Sequence, residues 1–244
     1  MNYSDPSFSP ARPARIRAVF EIIMVSGIVS SLLVSLVFAA IFGRSRLKLL
    51  EMDAEFFVTY ALSESVVTFL ILWMLVKLRG ETFHSLGLRW ERWKRFFLVG
   101  ILAAPCLFIA GGVVNAFFHL FLSKYALDKN PLMEMIHSPR QLALFIIAVI
   151  VGGGIKEELQ RAFILVRFRH SLGGASVGLI VWSLVFGAGH YAQGAQGVCT
   201  AAILGFIFGI LYLTSKTLIL PITAHSAYNA MALLGYWFFI GANK

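Results

Sequence analysis

Several polar side chains of this 244-residue chain stand inside stretches that are otherwise apolar. Lys156, Glu157, Glu158 and Arg161 interrupt LALFIIAVIVGGGIKEELQRAFILV, His190 ends the run VFGAGH, and His225 and Asn229 lie in LPITAHSAYNAMALL. A charge at the centre of a membrane helix costs about 2.5–3.5 kcal/mol on insertion scales, so such residues face protein and usually mark function. Glu157 and Arg161 are four apart and can pair on one helix face; Glu158 and Arg161, three apart, can pair almost as well. A carboxylate with an imidazole can polarise a water, the glutamate acting as general base. A second histidine with an asparagine one turn on, His225 and Asn229, shares a helix face and can donate to a developing oxyanion. A single histidine on an apolar face is more often a packing residue, so the case rests on convergence of the three sites. Other chemistries lack their residues. There is no GxSxG elbow, and Asp5, Asp53 and Asp128 fall in tails or loops, so no Ser-His-Asp arrangement is visible. HExxH, the P-loop and the dinucleotide fingerprint are likewise missing.

The elements that must position these residues are membrane helices. The chain is 59% hydrophobic and 14% charged, with mean hydropathy +0.80, whereas soluble domains carry about 25% charged residues. The net charge of +9 sits between apolar stretches and reads as loop charge that sets orientation, not as a nucleic-acid surface. Cys106 and Cys199 lie in apolar surroundings and read as packing residues. Residues 1–17, with Pro6, Pro10 and Pro13, form an expected disordered cytoplasmic arm. Residues 18–244 form one transmembrane domain. Its apolar segments run at about 18–42, 56–76, 96–122, 142–166, 178–192, 198–214 and 218–240, and each is long enough for a span of roughly 20 residues or close to it. The first exceeds the roughly 7–15 residues of a signal h-region and reads as a span. The expected fold is therefore all-α, a polytopic helix bundle of about seven spans.

Alternate connections divide the basic residues unevenly. Arg12, Arg15, Arg17, Lys77, Arg79, Arg89, Arg92, Lys94, Arg95, Arg167, Arg169 and Lys216 fall on one side, 12 in all; Arg44, Arg46, Lys48, Lys124, Lys129, Arg140 and Lys244 make 7 on the other. The positive-inside rule places the larger set, and the N-terminus, in the cytoplasm, with the C-terminus outside a cell inner (plasma) membrane. Trp73, Trp90 and Trp93 suit an interfacial belt, and the loop from Lys77 to Arg95 suits anionic lipid heads. At 1.5 Å per residue, Glu157 stands ~15 Å from Arg167 and His225 ~14 Å from Lys216. If SLGGASVG is a loop and the next helix begins at Gly178, His190 stands ~18 Å in. The three sites then share a depth in the cytoplasmic half of the membrane or near its middle. His84, His119, His137 and His170, at helix ends or in loops, carry no expected catalysis.

In these motifs the chain resembles the CPBP family, which includes the type II CAAX endopeptidases. KEELQRAF, Phe186-Gly-Ala-Gly-His190 and His225-Ser-Ala-Tyr-Asn229 parallel the family's EExxxR, FxxxH and later His with Asn four residues on. FHSLGLRW (Phe83 to Trp90) is similar to the family's LGL segment, and the resemblance covers about 80–235. One departure concerns register: the family's second glutamate stands four before its arginine, which would put Lys156 in the first glutamate slot. Otherwise Glu157 and Glu158 are the pair and Arg161 comes one residue early. The resemblance implies an intramembrane endopeptidase acting on a membrane-associated peptide, prenylated by analogy alone. It implies Glu157, with Glu158 as rival, activating water; His190 holding it; His225 and Asn229 stabilising the oxyanion; and Arg161 fixing a glutamate. Members are often labelled metalloproteases, and Glu157, His190 and His225 would be the set for a zinc. The expectation is that no metal is required, because an His-Asn pair suits oxyanion donation better than zinc ligation. Partners are then membrane lipid and a peptide substrate, with no nucleic acid. Two other readings stay open: a catalytically inactive scaffold or immunity protein with the same fold, and a proton-coupled transporter using the buried carboxylates.

Overall fold

The computed structural model describes residues 12–47, 52–127 and 129–239, and these are helical without strands. Each apolar segment becomes helix. Arg12–Val25 (α1) and Ile28–Phe42 (α2) bend by 41° at the break between them. Gly27 takes φ 96° at that break, a left-handed conformation glycine adopts without strain. Ala54–Leu78 (α3) starts where the Asp53 carboxylate accepts from Phe56 N at 2.8 Å. Trp93–Phe121 (α4) leads into the short Pro131–Glu134 (α5). Pro139–Ala148 (α6) opens with Pro at N1 and Ser138 accepting from Gln141 N. It continues through a wide π-helical stretch, Val149–Lys156, into Glu157–Ser171 (α7). Ala175–Gly189 (α8), Gly194–Ser215 (α9) and Ile219–Phe239 (α10) complete the chain.

Three of these helices are long and apolar enough to cross a membrane, or four if α1 and α2 form one bent span. That is fewer than the seven expected. The reason is composition: α8 is only 15 residues long, α10 is diluted by Thr223, His225, Ser226, Tyr228 and Asn229, and the helix through Glu157 carries its charges mid-length. Two further expectations change. Arg12 to Arg17 belong to α1 and not to a disordered arm, while residues 1–11 lie outside the described residues, as do Lys48, Asp128 and Lys244. The α8 helix begins at Ala175, not Gly178. Gly173 and Gly174 suffice for the turn, both at positive φ. Gly178 instead lies inside α8, where a Cβ would strike the Phe168 side chain of α7.

The bundle has two distinct ends. At one, buried Glu21 of α1 receives Arg79 (2.7 Å) and Arg167 (2.8 Å), and Arg167 also reaches Glu81 (2.7 Å). Arg167 is thus a core ion-pair residue, 2% exposed, where the sequence suggested an interfacial charge. At the same end the loop after α3 folds inward. Leu86 is buried, its carbonyl accepts from Tyr212 Oη, and Gly87 O accepts from Leu218 N. The α9–α10 turn is therefore recessed beneath that loop. From this end α1 and α2 descend antiparallel to α3, marked by Ser30–Glu64, Ser35–Tyr60 and Phe38–Phe56 contacts. At the far end lie the start of α3, residues 122–127 and 129–138, and the turn from His190 to Gln193.

Candidate active site

Three helices meet where small residues allow it. A Cβ at Gly153 would touch Asn229 Nδ2, and one at Gly154 would overlap Ser226 Oγ, so the π-helical stretch can lie directly against α10 only because both are glycine. On the other flank a Cβ at Gly205 of α9 would strike the Phe186 ring of α8. These approaches bring Glu157, His190, His225 and Asn229 to one cavity of about 300 Å³. Glu158 does not line it.

The two adjacent glutamates have opposite surroundings. Glu158 is buried, 1% exposed. Its Oε1 accepts from Arg161 Nη1 and, at 2.8 Å, from His225 Nδ1. The arginine pairs three residues along, with Glu158, and not four along with Glu157. Its guanidinium lies 4.8 Å from the Phe186 ring centroid and 5.7 Å from that of Phe208, contacts that a planar cation makes favourably with an aromatic face. Phe208 also stacks on His225, with centroids 4.3 Å apart. Glu157 by contrast is part-exposed to the cavity, its Oε2 3.8 Å from His225 Nε2. His225 therefore stands between the two carboxylates, one on each ring nitrogen.

His190 caps the end of α8. Its Nδ1 lies 2.8 Å from the Phe186 carbonyl. A carbonyl only accepts, so Nδ1 carries a proton. Phe186 thus serves the site twice, holding His190 by its backbone and Arg161 by its ring. Among the described residues no ion pair joins His190 to Glu157; the imidazole paired with that carboxylate is His225.

One cavity residue went unnoticed in the sequence. Glu64 of α3 accepts from Lys156 Nζ, from Ser30 Oγ (2.7 Å) and from Thr68 Oγ1 (3.0 Å). It lines the same cavity as Glu157. The cavity therefore holds a carboxylate besides the adjacent pair Glu157 and Glu158. The signal was present, since Glu64 interrupts the apolar run ALSESVVTFL as expensively as Lys156 interrupts its own. Phe208 and Tyr228 gave none, being two aromatic residues among many.

A metal ion would need three donors converging on one point. Among the described residues no group of three or more His, Cys, Asp or Glu could hold one. His225 and His190 each hold Nδ1 on an oxygen, an arrangement compatible with an Nε2 ligand; what is missing among the described residues is a third donor converging with them.

Residues 139–231 match the family model described as Type II CAAX prenyl endopeptidase Rce1-like. All of the motif residues from Glu157 to Asn229 fall within the matched segment, so the resemblance to the CPBP family is borne out there, over a shorter stretch than the 80–235 expected. No curated protein and no solved structure matches the chain.

Proposed function

We propose that the chain is an intramembrane endopeptidase that hydrolyses a peptide bond with a water activated by Glu157. The observation that carries this is the division of labour between neighbouring carboxylates. Glu157 faces a cavity shared with His190, His225 and Asn229, while Glu158 is sealed with Arg161 and orients His225. The family match supports the reaction class, since the matched description is that of a prenyl endopeptidase. The surrounding bundle, with its three or four candidate spans, is read as crossing the membrane seven times, the shorter and more polar helices being shielded by their neighbours.

In this mechanism Glu157 takes a proton from water as the oxygen attacks the scissile carbonyl, and returns it to the leaving nitrogen. His190, acting as the neutral imidazole with Nε2 accepting, holds the second water hydrogen. The oxyanion meets Asn229 Nδ2, which has hydrogens to give. His225 can join it only as an imidazolium, because its Nδ1–H is committed to Glu158; the carboxylates on its two sides supply the counter-charge. No step needs a metal.

The test is cleavage of membrane-inserted peptides by the purified protein in liposomes, comparing wild type with Glu157→Gln and Asn229→Ala. Loss of turnover in both, with folding retained, is expected. Turnover unaffected by Glu157→Gln would overturn the assignment. A second reading, proton-coupled transport, draws on the Glu64–Lys156 pair lining the cavity. It is distinguished by acidification of the liposome lumen without any peptide product.

A further inference from the structure

Behind the two imidazoles lies a smaller cavity, of about 100 Å³, held between α8, α9 and α10. His190, His225 and Asn229 line both this cavity and the larger one that Glu157 faces, so the reacting groups stand at the passage between the two. The remaining wall comes from Phe186 of α8 and from five residues of α9: Gly197, Thr200, Ala201, Leu204 and Phe208. These recur every three or four positions, which puts them on one helix face. The side chains lengthen along that face, from Gly197 through Ala201 to Leu204 and Phe208, so the short ones leave the space and the long ones floor it.

The helices are held at this spacing by glycine contacts on either side of the space. A Cβ at Gly187 of α8 would lie 2.7 Å from that of Ala202, and one at Gly205 of α9 would lie 2.8 Å from the Phe186 ring. Contacts that close fix how α8 and α9 interdigitate, and Ala201, itself buried, is too short to fill what remains. Beyond the passage the lining is apolar. Thr200 spends its hydroxyl on the Gln196 carbonyl at 2.9 Å, and the other walls are hydrocarbon. A charged or amide side chain would lose its water here and find little in return. Size is limited as well. An apolar cavity of about 150 Å³ takes a benzene ring, so one of about 100 Å³ suits an aliphatic group and excludes an aromatic one.

We infer that this cavity is the pocket for a side chain next to the bond that is cut, and that Ala201 sets the size it admits. The role rests on the endopeptidase reading; the pocket itself is measured without turnover. A carbonyl polarised at Asn229 brings the neighbouring side chain to the passage that Asn229 borders. Phe186 and Phe208 add a second effect. Their ring centroids lie 4.7 Å from that of His190 and 4.3 Å from that of His225. An occupant therefore packs against the same rings that the imidazoles rest on, and part of its binding is expressed in turnover as well as in affinity. One methylene too many or too few in such a pocket is worth roughly 10–200-fold in kcat/KM.

Two measurements separate the pocket from its role. For the pocket, Ala201→Cys is combined with Cys106→Ser and Cys199→Ser and treated with methyl, propyl and benzyl methanethiosulfonate, modification being read by mass. The same reagents on the native, exposed Cys199, with Cys106→Ser alone, give the reference rates. Against these, methyl and propyl are expected to react within tenfold of each other and benzyl at least tenfold more slowly. Benzyl as fast as methyl, or no reaction with any of the three, overturns the pocket. For the role, tryptic peptides of a membrane-protein fraction are given to wild type, Ala201→Gly and Ala201→Leu in lipid micelles, and the residues flanking each new terminus are read by mass spectrometry. The ratio of Leu to Ala beside the cut should fall at least tenfold in Ala201→Leu and rise in Ala201→Gly, with melting curves showing that both are folded. Should Ala201→Leu fail to fold, Ala201→Gly decides alone. A ratio unchanged from wild type overturns the role. No cleavage by wild type overturns the role together with the endopeptidase reading, and the thiol pattern then stands for the pocket by itself.

Discussion

His225 donates from Nδ1 to Glu158 Oε1 across 2.8 Å, both residues being buried. Arg161 shares the same oxygen. Glu158→Gln removes the charge that the Arg161 guanidinium faces and weakens the acceptor of the His225 hydrogen bond, and breaking a buried pair from one side costs about 3–5 kcal/mol. A lower denaturation temperature in detergent, with activity lost alongside, is expected. A variant as stable as the wild type would show that Glu158 is not the anchor.

Glu157→Gln should behave in the opposite way. Its carboxylate faces the cavity and packs little, so thermal stability should change by less than about 1 kcal/mol. Turnover should fall by about 10²–10⁴, the usual worth of a positioned general base. Parallel melting and single-turnover measurements on the two glutamine variants separate the roles.

The Lys156–Glu64 pair ties the π-helical stretch to α3. Lys156→Met alone leaves Glu64 with only hydroxyl partners and should destabilise by about 3–5 kcal/mol. Adding Glu64→Gln should restore much of this, giving a coupling energy above about 1 kcal/mol in a double-mutant cycle. Additive losses would mean that the two charges do not act as a pair.

Gly154→Ala places a methyl group on Ser226 Oγ. Forcing it into that contact should cost about 1–3 kcal/mol and displace α10, with His225 and Asn229 upon it. Pairing it with Ser226→Gly should recover stability and part of the activity. If Gly154→Ala is neutral in both assays, the close approach of these helices is not what sets the site.

Chelation addresses the ligand question directly. Because Glu157, His190 and His225 do not meet as a ligand set, treatment with EDTA should leave turnover within twofold of the untreated protein. Elemental analysis should find well under one zinc per chain. Activity lost on chelation and restored by zinc would refute this.

The helices were legible because each is carried by a mostly apolar run, and every run from 18 to 240 that is described became helix. How many cross the membrane was not, since that depends on how polar helices such as α10 are shielded by neighbours. The site was legible where charge interrupts apolar sequence: Glu157, Glu158, His190, His225 and Asn229. Which glutamate faces the cavity could not be read from spacing, because a pairing with Arg161 three or four residues away is nearly equivalent on a helix. Packing decides it, through Phe186 and Phe208 closing over Arg161 on the Glu158 side. Glu64 obeyed the same rule as the others in an earlier segment. Phe208 could not be found by any rule, since among 22 phenylalanines only position tells which one stacks on an imidazole.

The ties between the two halves of the chain bear on how it can be cut or recombined. Arg167, Lys156 and Gln160 all lie in the segment that matches the family, yet their partners are Glu21 and Glu81, Glu64, and the Val25 carbonyl, all before it. Excised on its own, residues 139–231 would carry two orphaned cations into the bilayer interior. A chimera must therefore inherit α1 through Glu81, together with the π-helical stretch and α7, from the same parent. A graft that exchanges only the matched segment should yield a protein that inserts and is then degraded.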